Sequence, residues 1–319
     1  MKPKLLILFL IAILISCDAE RINPLDPKNP NYKLVSLDGF VKTLTGPPRP
    51  LANVNVLWKN NNILIQTNAQ GYFKIENLET KDGWLFFEKE GFSPDSFYVT
   101  WGIEKNKTVE SFLNANPVMQ NLTIYTIVQN RFPDIQTYRL GIQADISDEE
   151  NDVDSVFVIN KKLNFNKILL YNPSTRFYEN NFSLSDLNLT SIDDAVGNNF
   201  NIIIKDKSGK VFDVGSSSLI RIIKQEIIIN SPANKQVVTT KPKLEWKRFL
   251  PGFNFRYMIE VFTDEISPVL IYQKDNINKD EINYILESEI PVGDYFWVIW
   301  CIDDFQNRSR SKPGSFVVQ

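Results

Sequence analysis

Apolar and polar residues alternate in short runs along most of the chain from about residue 35 onward. Val54 and Val56, and then Phe73 and Ile75, occupy every second position, as in strands with one face in a hydrophobic core. Gly, Asn, Asp and Pro separate the runs, and no amphipathic helical pattern extends beyond a turn or two. The pattern predicts an all-β protein of antiparallel β-sandwiches arranged in tandem.

The first predicted domain covers residues 35–116. It contains a Gly39-Phe40-Val41 run, the Val54–Val56 strand, a Gly71-Tyr72-Phe73 turn and strand, and a second glycine turn at Gly91. Glycine suits tight turns that require positive φ. The order of these elements resembles the carboxypeptidase regulatory-like domain, a transthyretin-like sandwich. This resemblance implies a structural or binding appendage without catalytic residues.

The second predicted domain covers residues 117–226. Apolar runs predict strands near Leu122–Gln129, Gln136–Ile146, Ser155–Asn160, Asn199–Lys205 and Leu219–Ile223. The Asn-rich residues 160–198 predict either a long loop or a set of short strands. An acidic turn between two strands makes the segment similar to the immunoglobulin-like domains of bacterial surface proteins.

That acidic turn is a candidate calcium site, with the carboxylates of Asp145, Asp148, Glu150, Asp152 and Asp154. Calcium takes six to eight oxygen ligands, which carboxylates supply. The spacing differs from an EF-hand, because the bend has no glycine and no glutamate closes the loop. The sequence therefore favours a solvated acidic turn without metal, with calcium binding as the alternative. No other cofactor is expected.

The third predicted domain covers residues 227–319. It contains a Leu244-Glu245-Trp246 strand, the run Gly293-Asp294-Tyr295-Phe296-Trp297, and a turn that extends from Asp303 to Asn307-Arg308-Ser309. These motifs fall in the order found in a bacterial fibronectin type III domain, which the segment resembles. Trp300 departs from that pattern, which has a polar outward residue at this position.

Residues 295–301 form one apolar run with two predicted faces. Strand alternation predicts a core face of Tyr295, Trp297, Ile299 and Cys301. The opposite face is a predicted interface patch of Phe296, Val298 and Trp300. Outward apolar groups mark interfaces, here either with a neighbouring domain of the chain or with a separate partner. In the first domain, Trp84 and Trp101 are expected to pack in the core, as single tryptophans in sandwiches usually do, and stacking on sugar rings is the alternative.

The N-terminus predicts a membrane anchor. Lys2 and Lys4 precede the uncharged run Leu5–Ile15, which is shorter than the about 20 residues that span a bilayer. Ser16 and Cys17 follow, and the arrangement resembles the bacterial lipobox, in which the cysteine is lipidated and becomes the new N-terminus. Residues 1–16 are therefore expected to be a cleaved signal peptide.

Residues 17–34 are predicted to form a lipidated cysteine and an extended tether, because their prolines disfavour helix. The expected location is the bacterial cell envelope, on the outer membrane. Asp18 resembles an inner-membrane retention signal, so the alternative location is the periplasmic face of the inner membrane. The expected contacts are the membrane, through acyl chains, and an envelope protein or polysaccharide.

Composition narrows the possible functions further. The chain has no histidine, which excludes Ser-His-Asp and Cys-His catalysis and histidine-ligated metals. Losing Lys2 and Lys4 takes the net charge from −3 to −5, which disfavours nucleic-acid binding. With Cys17 lipidated, Cys301 has no intrachain partner, and a buried core residue is expected there rather than a reactive thiol.

The sequence therefore predicts a non-catalytic, lipid-anchored protein that serves as a binding or scaffold module for protein or polysaccharide. Two alternatives remain: an accessory enzyme on envelope glycans, and a structural spacer for a membrane-associated complex. A pair of carboxylates in a cleft, as in glycoside hydrolysis, would indicate the enzyme.

Overall fold

The computed structural model describes residues 34–319, so the predicted signal peptide, Cys17 and almost all of the tether lie outside the described residues. The chain divides into two compact units, one ending at Asn116 and the other running from Pro117 to Gln319. The described part contains no helix that is long and apolar enough to cross a membrane. Its regular structure is β-strand apart from two short 3-10 turns, which confirms the predicted all-β class.

Seven strands and one 3-10 turn, Lys59–Asn61, form the first unit. The strands are β1 (Leu34–Thr43), β2 (Asn55–Trp58), β3 (Ile63–Gln66), β4 (Tyr72–Glu79), β5 (Gly83–Glu88), β6 (Asp95–Val99) and β7 (Asn106–Leu113). They build a three-stranded sheet of order β4-β1-β7 and a four-stranded sheet of order β3-β2-β5-β6. All pairs are antiparallel except β1 with β7.

One hydrophobic core receives side chains from both of these sheets. The alternating residues Val54, Val56, Phe73 and Ile75 are all buried in it, as predicted. Gly71 adopts a φ of 71° in the turn before β4, and a Cβ there would lie 2.4 Å from a backbone carbonyl oxygen. Both the conformation and the space therefore require glycine at this turn.

Sixteen strands and the 3-10 turn Ile192–Ala195 form the second unit. Seven come first: β8 (Val118–Arg131), β9 (Ile135–Ser147), β10 (Val153–Asn160), β11 (Phe165–Asn172), β12 (Phe177–Ser183), β13 (Asn199–Asp206) and β14 (Val211–Ser218). Nine follow: β15 (Ile229–Ser231), β16 (Gln236–Val238), β17 (Lys243–Trp246), β18 (Phe255–Thr263), β19 (Leu270–Asn278), β20 (Asn283–Ile285), β21 (Gly293–Asp303), β22 (Arg308–Arg310) and β23 (Gly314–Val318).

The second unit contains two separate large cores. The first lies among β8–β14, which pair in the order β14-β13-β10-β11-β12-β9-β8. In this ladder Phe165–Leu169 pairs with β10 and Leu170–Asn172 pairs with β12, so β11 passes from one partner to the other. Of the two interpretations of residues 160–198, the set of short strands is thus the one that the structure contains.

The second core lies between the three-stranded sheet β15-β17-β20 and the strands around β21. Trp246 and Trp297 are fully buried there, with ring centroids 6.4 Å apart. The predicted core face of residues 295–301 is confirmed, since Tyr295, Ile299 and Cys301 belong to the same core. A parallel pair of β22 with β8 joins the ladder of the first core to that of the second.

Candidate functional site

The outer face of the four-stranded sheet in the first unit carries a cluster of large apolar side chains. We call this cluster the aromatic face and define it by Leu57, Leu64, Trp84, Phe86 and Tyr98. Leu64 is 61% exposed, Trp84 46% and Tyr98 47%. An exposed apolar patch of this kind on a protein surface is frequently a binding surface.

Strand register brings these side chains together. On β2, Leu57 lies opposite both Leu64 of β3 and Phe86 of β5. Trp84 of β5 lies opposite Tyr98 of β6. Because facing residues in neighbouring strands point to the same side of a sheet, five residues from four strands form one surface.

Contacts between the rings hold the aromatic face in a defined arrangement. The Trp84 and Phe86 rings are stacked, with centroids 6.2 Å apart and an angle of 30° between their planes. The Tyr98 ring meets Trp84 edge to face at 5.2 Å. Offset stacking and edge-to-face packing are the preferred geometries of aromatic pairs, so the exposed rings are mutually supported.

A row of polar side chains borders the aromatic face. Asn55 lies opposite Gln66 on one side and Glu88 on the other, on the same outward face. The Gln66 Nε2 donates a hydrogen bond to Asn55 Oδ1 over 2.9 Å. Among the outward side chains of these four fully described strands, Glu88 carries the only charge. Apolar rings and planar polar groups therefore share one surface.

Trp101, the other tryptophan considered for sugar stacking, is not available for it. It is 1% exposed and packs edge to face on Trp58, with the centroids 6.4 Å apart. Its Nε1 donates to the Lys81 carbonyl oxygen over 3.0 Å. The saccharide hypothesis was wrong for this residue, because its ring fills the core of the unit and its one polar group already has a partner.

The predicted calcium site lies at the turn between β9 and β10. The structure places Asp145 on β9 and Asp154 on β10, with Asp148, Glu150 and Asp152 in or beside the turn. Asp148 Oδ2 accepts a 2.7 Å bond from the Asp152 backbone N–H, which closes the turn. In the described part of the chain, no group of three or more acidic, Cys or His side chains is arranged to hold a metal ion. Calcium binding stays an untested expectation.

The predicted interface patch lies inside the second unit. Val298 is fully buried and Trp300 is 7% exposed, and both belong to a small apolar cluster with Met258 and Ile302. Phe296 packs against this cluster, and so does Ile127 of β8. Val298 and Trp300 are therefore buried inside the second unit, and Ile127, from a strand of the preceding sandwich, contacts the patch.

We call the contact between the two sandwiches the joint; it consists of the β8–β22 pair and the apolar cluster around Trp300. Asn307 adds hydrogen bonds to this joint. Its side chain is fully buried, and its Oδ1 accepts from the Thr126 backbone N–H at 2.9 Å and from the Thr126 hydroxyl at 3.2 Å. Its Nδ2 donates to Asp303 Oδ2 at 3.1 Å. A further bond of 2.7 Å runs from Asn130 Nδ2 to the Arg310 carbonyl oxygen. The turn motif that resembles fibronectin type III thus also binds the neighbouring sandwich.

Cys301 is fully buried and forms no disulfide. Burial raises the pKa of its thiol far above the ordinary value, and the nearby Asp303 carboxylate acts in the same direction. The sulfur therefore stays protonated at neutral pH and behaves as a small apolar core group.

Four residues of the aromatic face were not identified from the sequence: Leu57, Leu64, Phe86 and Tyr98. A signal for one of them is present in the run Trp84-Leu85-Phe86-Phe87, which is apolar at every position. Leu85 and Phe87 fill the core, so an all-apolar strand necessarily presents Trp84 and Phe86 on its other face. Tyr98 could not be located in the same way, because its place opposite Trp84 depends on the pairing of β5 with β6.

No protein-family model matches the sequence, and no curated protein matches it. Solved structures that are similar include the FN1–FN3 domains of chicken CNTN1, at 9% identity over 85% of this chain and 92% of that chain, with a TM-score of 0.31. BcpA, the major pilin subunit of Bacillus cereus, matches at 10% identity over 90% of this chain and 96% of that chain, with a TM-score of 0.27. Fibronectin(III)-like modules of Clostridium thermocellum CbhA match at 12% identity over 64% and 93%, with a TM-score of 0.27. At these identities and TM-scores the neighbours carry no argument about function.

Proposed function

We propose that this protein is a non-catalytic binding module of the bacterial cell envelope, anchored through Cys17, and that the aromatic face of the first unit is its binding surface. The observation that carries the proposal is the exposure of Trp84 and Tyr98 in mutual ring contact on the outside of a sheet. Exposing such rings to water costs free energy that a bound ligand recovers by covering them.

The absence of a catalytic role is supported by the sequence. A chain without histidine lacks the usual general base for a serine or cysteine nucleophile. The one thiol in the described residues is buried within a core, where no substrate reaches it. Both observations favour recognition over catalysis.

The proposal is tested by co-sedimentation of the purified protein with an envelope fraction of the source bacterium. We expect the double variant Trp84→Ala/Tyr98→Ala to lose most of the binding. Phe40→Ala is the matched control, because Phe40 is an exposed ring on the outer face of the other sheet, paired with Tyr72 at 5.3 Å. Equal binding by all three proteins would refute the assignment of the binding surface.

A structural spacer is a second candidate, favoured by the joint in the second unit. The parallel β8–β22 pair and the buried Asn307 connect the two sandwiches through backbone and side-chain hydrogen bonds. Such a joint suits a stiff support. A protein that acts only as a spacer would complement a deletion strain equally well with or without Trp84 and Tyr98, whereas a binding module would not.

A further inference from the structure

We propose that the ligand of the aromatic face is a neutral polysaccharide chain, whose sugar rings stack on Trp84 and Tyr98 and whose hydroxyl groups bond to the row of Gln66, Asn55 and Glu88. This inference rests on the proposed function, because it names the ligand class for the same surface. Three properties of the face support it: its size, its charge and its chemistry.

The size of the face suits a narrow ligand. It measures roughly 14 Å across four strands that lie about 4.8 Å apart. It is formed by five partly exposed side chains, far fewer than the roughly 20–30 residues that each partner contributes to a standard protein–protein interface. A second copy of the chain or a globular partner would therefore find too little area here for a stable complex. A polysaccharide that crosses the face covers it fully.

The charge of the face excludes anionic ligands. The Glu88 carboxylate is the only charged group that points outward from β2, β3, β5 and β6, and these strands are described completely. Anionic lipid surfaces and nucleic acids are held by Lys and Arg, which this face lacks. An acidic polysaccharide would be repelled by Glu88. A ligand without negative charge, such as a neutral polysaccharide, is compatible with this face.

The chemistry of the face matches a sugar ring. A pyranose has an apolar face of C–H groups and a rim of hydroxyl groups, each of which both donates and accepts. Aromatic rings pack against the C–H face. An Asn or Gln amide offers two donor hydrogens and a carbonyl acceptor, so the bond between Gln66 and Asn55 uses only part of their capacity. Glu88 adds an acceptor, and the row can serve several hydroxyl groups at once.

The test uses the full chain and three preparations of the same envelope fraction as probes: untreated, digested with protease, and oxidised with periodate and then quenched. Periodate cleaves vicinal diols and so opens the sugar rings that carry them, whereas protease removes proteins. We expect binding to survive protease and to fall at least tenfold after periodate. The polysaccharide extracted from the envelope should bind the protein directly. Trp84→Ala should weaken that affinity at least tenfold, while Phe40→Ala should leave it within twofold.

Other results would overturn the inference in distinguishable ways. Binding that depends on Trp84 but is lost with protease and kept after periodate would identify a protein ligand, and the proposed function would stand without the polysaccharide. A change of oligomeric state in Trp84→Ala, measured by light scattering, would identify a second copy as the occupant. Binding that does not depend on Trp84 in any preparation would refute the proposed function as well.

Discussion

Replacing Asn307 with alanine should weaken the joint between the two sandwiches of the second unit more than any exposed substitution in the same turn. Asn307 is fully buried and bonds to three groups, the backbone N–H and the hydroxyl of Thr126 and the carboxylate of Asp303. Alanine cannot bond to any of them. All three groups are buried and would lose this partner.

The magnitude follows from the three lost bonds. The Thr126 N–H and hydroxyl share one acceptor, the Asn307 Oδ1, and leaving a buried donor without its acceptor costs about 1–3 kcal/mol. The Asp303 carboxylate is 1% exposed and loses one donor, and hydrogen bonds to charged groups contribute about 1.5–3 kcal/mol. Because Asp303 keeps the donors of the Phe305 and Asn307 backbone N–H groups, the total should be about 3–5 kcal/mol.

Asn254→Ala is the matched control. Its Nδ2 bonds to the neighbouring carboxylate of Asp304 at 3.2 Å, but both side chains are exposed, so water replaces the lost bond. We expect a loss below about 0.5 kcal/mol for this variant. Stability is measured by urea denaturation, and hydrogen exchange reports on the joint directly. The Thr126 amide should exchange slowly in the wild type and at least 100-fold faster in Asn307→Ala.

A further variant separates the two contacts of Asn307. Asn307→Asp keeps an acceptor for the Thr126 N–H but places a second carboxylate beside Asp303. Like charges at this distance raise the pKa of one carboxyl group, and the protonated group then donates as the amide did. This variant should therefore be destabilised at pH 7 and should recover stability as the pH falls toward the ordinary pKa of an aspartate, about 4. If Asn307→Ala matches Asn254→Ala in stability, and the Thr126 amide exchanges as in the wild type, the joint does not depend on Asn307.

Four further outcomes are expected. Trp297→Ala and Trp300→Ala should each cost about 3–5 kcal/mol, because both rings are buried, and only Trp300→Ala should also speed amide exchange in β8, measured by mass spectrometry. Cys301 should not react with a thiol reagent between pH 7 and 9 until urea unfolds the protein. Because the pKa of its thiol is raised in the folded state, its contribution to stability is complete below about pH 8.5 and declines as the pH rises above that value. Cys17→Ala should abolish lipidation and cleavage, and an unmodified mature N-terminus at any other residue of the wild type would contradict the lipobox assignment. A fragment of residues 227–319 should aggregate where 117–319 stays soluble, because it exposes the apolar cluster around Trp300; equal solubility in size-exclusion chromatography would argue against a covered patch.

Strand alternation predicted which side chains are buried wherever a strand has one face in a core and the other in solvent. Val54 directly before β2, Val56 on β2, and Phe73 and Ile75 on β4 all follow it. In β21 both faces are apolar and buried, but successive side chains still point to opposite faces. The same alternation therefore assigned Trp297 to the core. Within a strand, periodicity is a local property, and the sequence contains it in full.

Pairing between distant strands is not a local property, and the joint could not be predicted for that reason. The strand β22 has three residues, too few to show a period, and its partner β8 lies about 180 residues earlier in the chain. Likewise, β11 and β12 lie in an Asn-rich segment in which exposed and buried residues do not alternate regularly. Only the pairing partner determines which of their side chains are covered.

The two apolar outer faces of this protein show how pairing decides the role of a surface. Trp84 and Trp300 both lie on strands that are apolar on both sides. Alternation alone therefore does not determine which of the two rings stays exposed. In the structure, the ring of Trp300 is covered by the joint, and its Nε1 donates to Glu260 Oε2 over 2.8 Å. Trp84 stays 46% exposed, among rings of its own sheet. Trp300 has thus become part of the packing within the second unit, and the aromatic face is the surface that remains open for a ligand.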